Sequence, residues 1–262
     1  MTVTSPDYVR FARQIAFRPF GLDGQKALSR GRVLIVGVGG LGSWVAELLA
    51  RAGVGFLRLV DSDRVDLTNI HRQALYGAGD AADRRPKVEA AARRLRDFNE
   101  TCVVESVEER LDRSNVDGLA GDVEVVVDGT DNFTTRFLLN DYCVKTGRPW
   151  IFAGAVRAEA QMAVILPGRT PCLRCLLEEP PPPCIDPDCR QAGVWGMAVA
   201  AIASFQAMEA IKILAGRLAE ASPYLLKFDL WSNTLQRLHY RVLRQSSDCM
   251  CCHWREFEFL EP

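Results

Sequence analysis

The chain has almost no excess charge of either sign: 32 Lys and Arg face 33 Asp and Glu, a formal net charge of -1 over 262 residues. That balance gives no bulk attraction for nucleic acid or for an anionic membrane, so neither is expected as a partner. An uninterrupted apolar segment is also missing at the start, because Asp7, Arg10, Arg13 and Arg18 punctuate residues 1–20. A secretory signal is therefore not expected, and the chain reads as cytoplasmic. The longest apolar stretch, Ala192 to Leu214, is broken by Gln206, Glu209 and Lys212, which suits a buried core helix better than a membrane span. There is no internal repeat.

What is present is an alternation of strand-like and helical runs. Arg32 to Val36, Phe56 to Asp61, Cys102 to Val107, Val123 to Asp128 and Pro149 to Ala153 read as strands, with helices at Ser43 to Ala52, Pro86 to Phe98 and Thr134 to Thr146 between them. Pro86 suits a first helical turn, where its missing N–H has no partner to lose. The pattern predicts an α/β, Rossmann-like, mainly parallel sheet with helices on both faces. It continues into later strands, Ala160 to Leu166, Tyr224 to Leu230 and Thr234 to Val242, the last two pairing about a Ser232-Asn233 turn. A long helix from Val194 to Ala215 stops at Gly216. We expect one domain over 1–262: an N-terminal arm at 1–30, a nucleotide-binding half at 31–155, and a half at 156–262 with a mobile proline-rich loop at 178–190.

Gly37-Val38-Gly39-Gly40-Leu41-Gly42 lies between the first strand and its helix. Glycines 37, 39, 40 and 42 allow a tight turn and close approach of backbone to phosphate, and the helix N-terminus offers free N–H groups and a positive dipole end. Asp61 ends the next strand, where an acid meets a ribose hydroxyl. So far a dehydrogenase using NAD or FAD fits. Asn69 and Arg72 then offer groups for phosphate oxygens, and Lys87 opens a helix with a compact charge. His71 has no constellation around it, while Asp63 and Asp66 read as solvated loop or capping acids, and Arg84, Arg85, Arg93 and Arg94 as a solvated face. Asp131, in Asp128-Gly129-Thr130-Asp131-Asn132, emerges from the same sheet edge. A carboxylate beside polyphosphate is repulsive unless a hard cation lies between them, which points to Mg²⁺ at Asp131 and leaves the helix cap to Asn132.

Nine cysteines in a reducing compartment call for metal or thiol chemistry rather than disulfides. Cys102 and Cys143 read as small hydrophobes. Cys172 and Cys175, with Cys249 and Cys252, form two pairs at the spacing of a four-thiolate structural Zn²⁺ site, here a clasp tying the tail to the sheet. Cys251 and His253 leave the ligand choice open, the first as a spare thiol and the second as a competing ligand. Cys189, beside Arg190 and before the long helix, is either a reactive thiol or a plain loop cysteine, and Cys184 an alternative thiol.

Taken in order, GVGGLG, DSDRVDLTNIHRQ, Pro86-Lys87, DGTDN and the paired C-x-x-C segments resemble the ThiF/MoeB/HesA family of ubiquitin-activating-enzyme-like adenylyltransferases, over about Tyr8 to Leu260. The resemblance implies that Asp61 binds ribose, that Asn69, Arg72 and Lys87 bind ATP phosphates, and that Asp131 serves adenylation with Mg²⁺. It implies that Arg13, in Arg10-Phe11-Ala12-Arg13-Gln14, reaches the partner's ATP across a homodimer interface. The usual tyrosine is Phe11 here. Cys189 matches a cysteine that can link to the sulfur carrier in some members and is dispensable in others. The implied reaction is ATP-dependent adenylation of the C-terminal glycine carboxylate of a ubiquitin-like sulfur-carrier protein ending in Gly-Gly, releasing pyrophosphate and preparing a thiocarboxylate. A separate sulfur donor, a cysteine desulfurase or rhodanese, is expected, since no rhodanese-like segment follows. The rivals are an NAD- or FAD-dependent oxidoreductase, a zinc-stabilised nucleotide-binding scaffold without chemistry, and adenylation of a peptide or a specialised-metabolite carrier.

Overall fold

The structure, a computed structural model, describes residues 6–181, 192–240 and 248–261. Cys184, Cys189 and most of the 178–190 loop lie outside the described residues.

Among the described residues eight strands form one sheet: β1 Arg32–Val36, β2 Phe56–Val60, β3 Val103–Val107, β4 Val125–Asp128, β5 Trp150–Val156, β6 Glu159–Ile165, β7 Tyr224–Asp229 and β8 Thr234–His239. Their order is β3-β2-β1-β4-β5-β6-β7-β8. The first five pair in parallel, and β5 through β8 pair antiparallel. The helices are α1 Ala12–Ile15, α2 Gly21–Leu28, α3 Gly40–Ala52, α4 Ala78–Ala82, α5 Lys87–Phe98, α6 Val116–Ala120, α7 Phe133–Thr146, α8 Leu173–Leu176 and α9 Gly196–Leu214.

The central strands β1, β2 and β4 are apolar on both sides because both sides are covered, whereas the edge strands β3 and β8 are largely exposed. In β1, Val33 and Ile35 enter a core with α3, α5 and α9, whereas Leu34 and Val36 enter a second core with α6, α7 and the cysteine segments. Phe137 and Trp150 are fully buried in the second core, and truncating either to Ala removes about 3–5 kcal/mol. The helix expected from Val194 spans Gly196–Leu214, with Gly216 beyond it at φ 72, a left-handed stop that glycine adopts without strain. It is long and apolar enough to cross a membrane by length and composition. In this fold, however, Val199, Ile202, Ala203 and Ala210 are buried in the first core. Asp229 pairs with Thr234 across the late hairpin, with Asn233 in its turn at φ 56.

Two local expectations shift. The helix expected from Ser43 begins at Gly40, so the last glycines of the motif are its first turn. Pro86 is the residue before α5, at ψ 132, rather than inside its first turn. It bridges Arg64, while the Val65 N–H donates to Arg85 O at 2.8 Å and the Lys87 N–H to Asp63 O at 2.9 Å. This short zipper carries the start of α5 to the carboxyl end of β2.

The chain leaves β1 towards β2 and β3, then returns to place β4 on the other side of β1. The crevice between β1 and β4 is thus the switch point where open α/β sheets bind ligands.

Candidate nucleotide and metal sites

At that switch point a cavity of 980 Å³ runs from the glycine turn to the ends of β5, β6 and β7. Gly37 sits at φ 80, and a side chain there would lie 2.8 Å from the Gly129 backbone, so the loops after β1 and β4 meet only because both are glycine. Gly39 is the N-cap of α3 and supplies no side-chain cap, leaving the first helical N–H groups facing the cavity end. The Val38 peptide is clamped from both sides. Its N–H donates to Asp61 Oδ2 at 2.7 Å, and its carbonyl accepts from Tyr76 Oη at 2.6 Å.

Asp61 also accepts from the Asp63 N–H at 2.8 Å. Burial pushes its carboxyl above the usual range, against the pull of Lys87, whose Nζ lies 4.0 Å away. Lys87 is buried, and its Nζ donates to Asp63 Oδ2 at 2.7 Å. Asp63 is therefore not the merely solvated acid expected from sequence; it is exposed, but it holds the lysine. Asp66 does cap the following 3₁₀ turn, accepting from the Thr68 N–H at 2.8 Å. Arg72 donates to Asn69 Oδ1 at 2.6 Å and to Thr68 O at 3.2 Å, and its Nη1 contacts His71 Nε2 at 3.0 Å. Asn69 thus orients the guanidinium as well as facing the cavity. Arg84, expected on a solvated face, also lines it.

The Asp128-to-Asn132 turn divides its labour. Asn132 caps α7, accepting from the Thr135 N–H at 2.9 Å. Asp128 is wholly buried, pairs with Arg136 Nε at 3.1 Å and accepts from Thr130 Oγ1 at 2.6 Å. Burial raises its pKa, opposed by Arg136. Arg136 Nη2 donates on to Thr130 O and Ala153 O, welding the turn to β5. Asp131 is exposed at the cavity and makes no hydrogen bond or ion pair among the described residues. Its oxygens are the kind a hard cation takes.

Arg13 is the outlier. It is exposed on α1 and does not line the cavity of its own chain. Its neighbours are fixed: Arg10 donates to Asn99 Oδ1 at 2.8 Å, Phe11 is buried, and Gln14 donates to Ala52 O at 2.6 Å and contacts Gln25.

On the opposite face of the sheet Cys172, Cys175, Cys249 and Cys252 bring their sulfurs within 4.8 Å of one another. The separations of 3.9, 3.6 and 3.3 Å for 172–175, 172–249 and 175–252 compare with roughly 3.8 Å between thiolates around tetrahedral zinc. The donor set and spacing fit Zn²⁺. Cys251 is buried outside the quartet, accepting from Asn140 Nδ2 at 3.2 Å, and His253 is exposed against Trp254. Cys102 and Cys143 are buried thiols, the former pushed up to about 12 by burial, and both behave as hydrophobes.

Four residues around the cavity were missed in the sequence: Asp63, Gln73, and the pair Asp128 and Arg136. Asp63 and Gln73 stand inside the quoted motif, so position carried the signal. The Asp128–Arg136 pair joins the end of β4 to the first turn of α7, which only the fold reveals.

A glycine-capped helix start at a parallel-sheet switch point, with Arg, Lys and Asp side chains around it, defines a nucleotide-binding α/β protein of the Rossmann-like class. A family model described as the ThiF family matches residues 11–251, and the chain belongs to that family. It is 38% identical over 251 residues to the sulfur carrier protein ThiS adenylyltransferase of Bacillus subtilis, covering 96% of this chain and 73% of the relative. It is 37% identical to a sulfur carrier protein adenylyltransferase of Thermus thermophilus, covering 96% and 93%. Against adenylyltransferase and sulfurtransferase MOCS3 of Xenopus laevis it is 36% identical but spans only 54% of that protein. Among solved structures, E. coli MccB bound to ATP superposes with a TM-score of 0.78 at 23% identity, covering 93% of this chain and 74% of MccB, a likeness of fold.

Proposed function

We propose that the protein adenylates the C-terminal carboxylate of a ubiquitin-like sulfur-carrier protein at the expense of ATP. The observation that carries this reading is the convergence on one cavity of the glycine turn, Asp61, Asn69, Arg72, Lys87 and Asp131. Membership of the ThiF family and two relatives named as sulfur-carrier adenylyltransferases, each matched over most of its length, support it. An oxidoreductase reading of the same glycine turn leaves Lys87, Arg72 and Asp131 without a task.

In this reading a carrier carboxylate oxygen attacks the α-phosphorus, the bond to the bridging oxygen breaks, and pyrophosphate leaves with that electron pair. The glycine turn and the start of α3 hold the phosphate chain, Asp61 accepts from ribose hydroxyls, and Arg72 and Lys87 offset charge gathering on the leaving pyrophosphate. Lys87 exchanges Asp63 for phosphate to do so. Asp131 would hold Mg²⁺, which would supply charge neutralisation to the phosphates. Catalysis is then mainly positioning and electrostatics. Arg13, exposed and without a side-chain bond among the described residues, acts in the site of a second copy across a homodimer. The carrier's Gly-Gly tail enters along Gly154, Ala155 and Ala160, where the small lining residues leave room for an extended backbone. The cysteine quartet holds structural Zn²⁺. Thiocarboxylate formation draws sulfur from a separate desulfurase or rhodanese, with Cys189 as the candidate relay thiol.

The test is pyrophosphate exchange into ATP, run with Mg²⁺ and carriers ending in Gly-Gly. Exchange that depends on the carrier tail supports the reading; tight NAD binding without exchange on any carrier contradicts it. For Arg13, mixing inactive Arg13→Ala and Asp131→Ala proteins restores activity if one copy serves the other, since one site of the mixed dimer then holds both native residues. No recovery on mixing assigns Arg13 to its own subunit.

A further inference from the structure

Six buried side-chain atoms have no hydrogen-bond partner among the described residues: Arg58 Nε, Gln73 Oε1, Arg148 Nε, Trp150 Nε1, Arg174 Nε and Gln206 Oε1. The three arginines bond through their other nitrogens, and Gln206 donates twice through Nε2. Trp150 lies in the second core. Gln73 differs from all of them. It is 5% exposed, neither end of its carboxamide is bonded among the described residues, and it alone of the six lines the cavity.

A buried polar group without a partner is costly, and in a folded chain it marks a place where a ligand or ordered water completes the bond. The surroundings of Gln73 say which part of the ligand. Its Nε2 lies 3.6 Å from the position a side chain would take on Gly39, the uncapped N-cap of α3. It follows Arg72 directly, and the next N–H, that of Ala74, is bonded to Ser43 Oγ at 3.0 Å, which pins the segment to the same helix. The carboxamide therefore stands beside a helix N-terminus, in the cavity that Arg72 also lines, and both features favour an anion. A neutral amide donates there without adding charge.

We propose that Gln73 is a nucleotide-binding residue, its Nε2–H donating to a phosphate oxygen beyond the α-phosphate and its Oε1 accepting from a water in the shell of that chain. This rests on the reading of the cavity as an ATP site. A Gln73 that only supports the fold and a Gln73 kept for a ligand have opposite signatures. Replacing an unpartnered buried amide by an apolar group of similar size is neutral or stabilising without ligand, while replacing a structural one is destabilising.

The experiment compares wild type, Gln73→Leu and Gln73→Glu by thermal melting without nucleotide and by calorimetric titration with ATP, AMP and pyrophosphate. Gln73→Leu is expected to melt at or above wild type, to lose about tenfold in affinity for ATP and pyrophosphate, and to bind AMP within about twofold of wild type. Lowered melting with unchanged ATP affinity overturns the proposal, and so does an equal loss for AMP and ATP, which places the contact at the nucleoside. If Gln73→Leu does not fold, the near-isosteric Gln73→Glu decides. It is expected to weaken ATP and pyrophosphate at least as far through charge repulsion, and wild-type affinities in it contradict the assignment. Wild-type protein that binds none of the three ligands overturns the ATP reading itself, which separates that failure from a failure of Gln73 alone.

Discussion

At the cavity, Asp131 and the Gln73 carboxamide have no partner among the described residues, and Lys87 is held by an exposed acid, Asp63. At the cysteine clasp the polar side chains are engaged instead, Arg174 through its other nitrogens although its Nε has no partner among the described residues. Arg174 donates to Glu258 at 2.8 Å and lies 3.7 Å from Asp141, Asp141 accepts from the Phe259 N–H, and Asn140 bonds both Leu173 and Cys251. Two polar regions on one sheet thus use their residues oppositely. One leaves groups available for something that arrives, and the other occupies them so that nothing moves. Substitutions in the first should change ligand binding and spare the fold, and substitutions in the second should do the reverse.

The largest effect is expected at the clasp. Cys249→Ser should remove the bound metal and about 5 kcal/mol or more of stability, because the site ties the tail to the second core. Metal analysis and denaturant unfolding check it, and full stability without metal would erase the contrast. Asp128→Asn tests the boundary between the regions, since it strips a buried partner from Arg136 beneath the ligand loop. A loss of about 3 kcal/mol is expected, below the top of the range for buried pairs because Arg136 keeps two carbonyl acceptors. Asp131→Ala should leave unfolding within about 0.5 kcal/mol of wild type while exchange falls about 10²–10³-fold. An unfolding shift as large as that of Asp128→Asn would place Asp131 in the scaffold.

The smallest effect lies at the far end of the sheet, where Arg58 and Arg32 hold Asp122 down to about 2. Its folded pKa is below the unfolded value of about 3.9, so its contribution is present above that pH and is lost as pH falls towards 2. With the side chain half exposed, that contribution is under about 1 kcal/mol. Acid titration of Asp122→Asn against wild type should show a gap that closes between pH 4 and 2.

The alternation of strands and helices was legible because the two cores make the central strands short continuous apolar runs, set apart by longer segments with polar faces such as α5. Gly37 to Gly42, Asp61 and Asn132 were legible because their residue types have few other uses at those places. Lys87 was placed correctly beside the cavity, but its bond to Asp63 depends on the backbone zipper between residues 63–65 and 85–87, which no local pattern announces. Arg136 and Gln73 escaped for a related reason. An arginine inside a helix and a glutamine after a loop are ordinary until the fold shows the first buried against Asp128 and the second without a partner. Arg13 does not line the cavity among the described residues, so the role proposed for it requires a second copy.

The central claim is that the cavity joins ATP to a carrier carboxylate. Incubating the protein with Mg·ATP, pyrophosphatase and a Gly-Gly-ending carrier, then mapping the carrier by mass spectrometry, tests it most directly. The account predicts AMP on the C-terminal carboxylate with wild type and none with Asp131→Ala. AMP on a side chain, or an unmodified carrier of the matching type while ATP is bound, would contradict it.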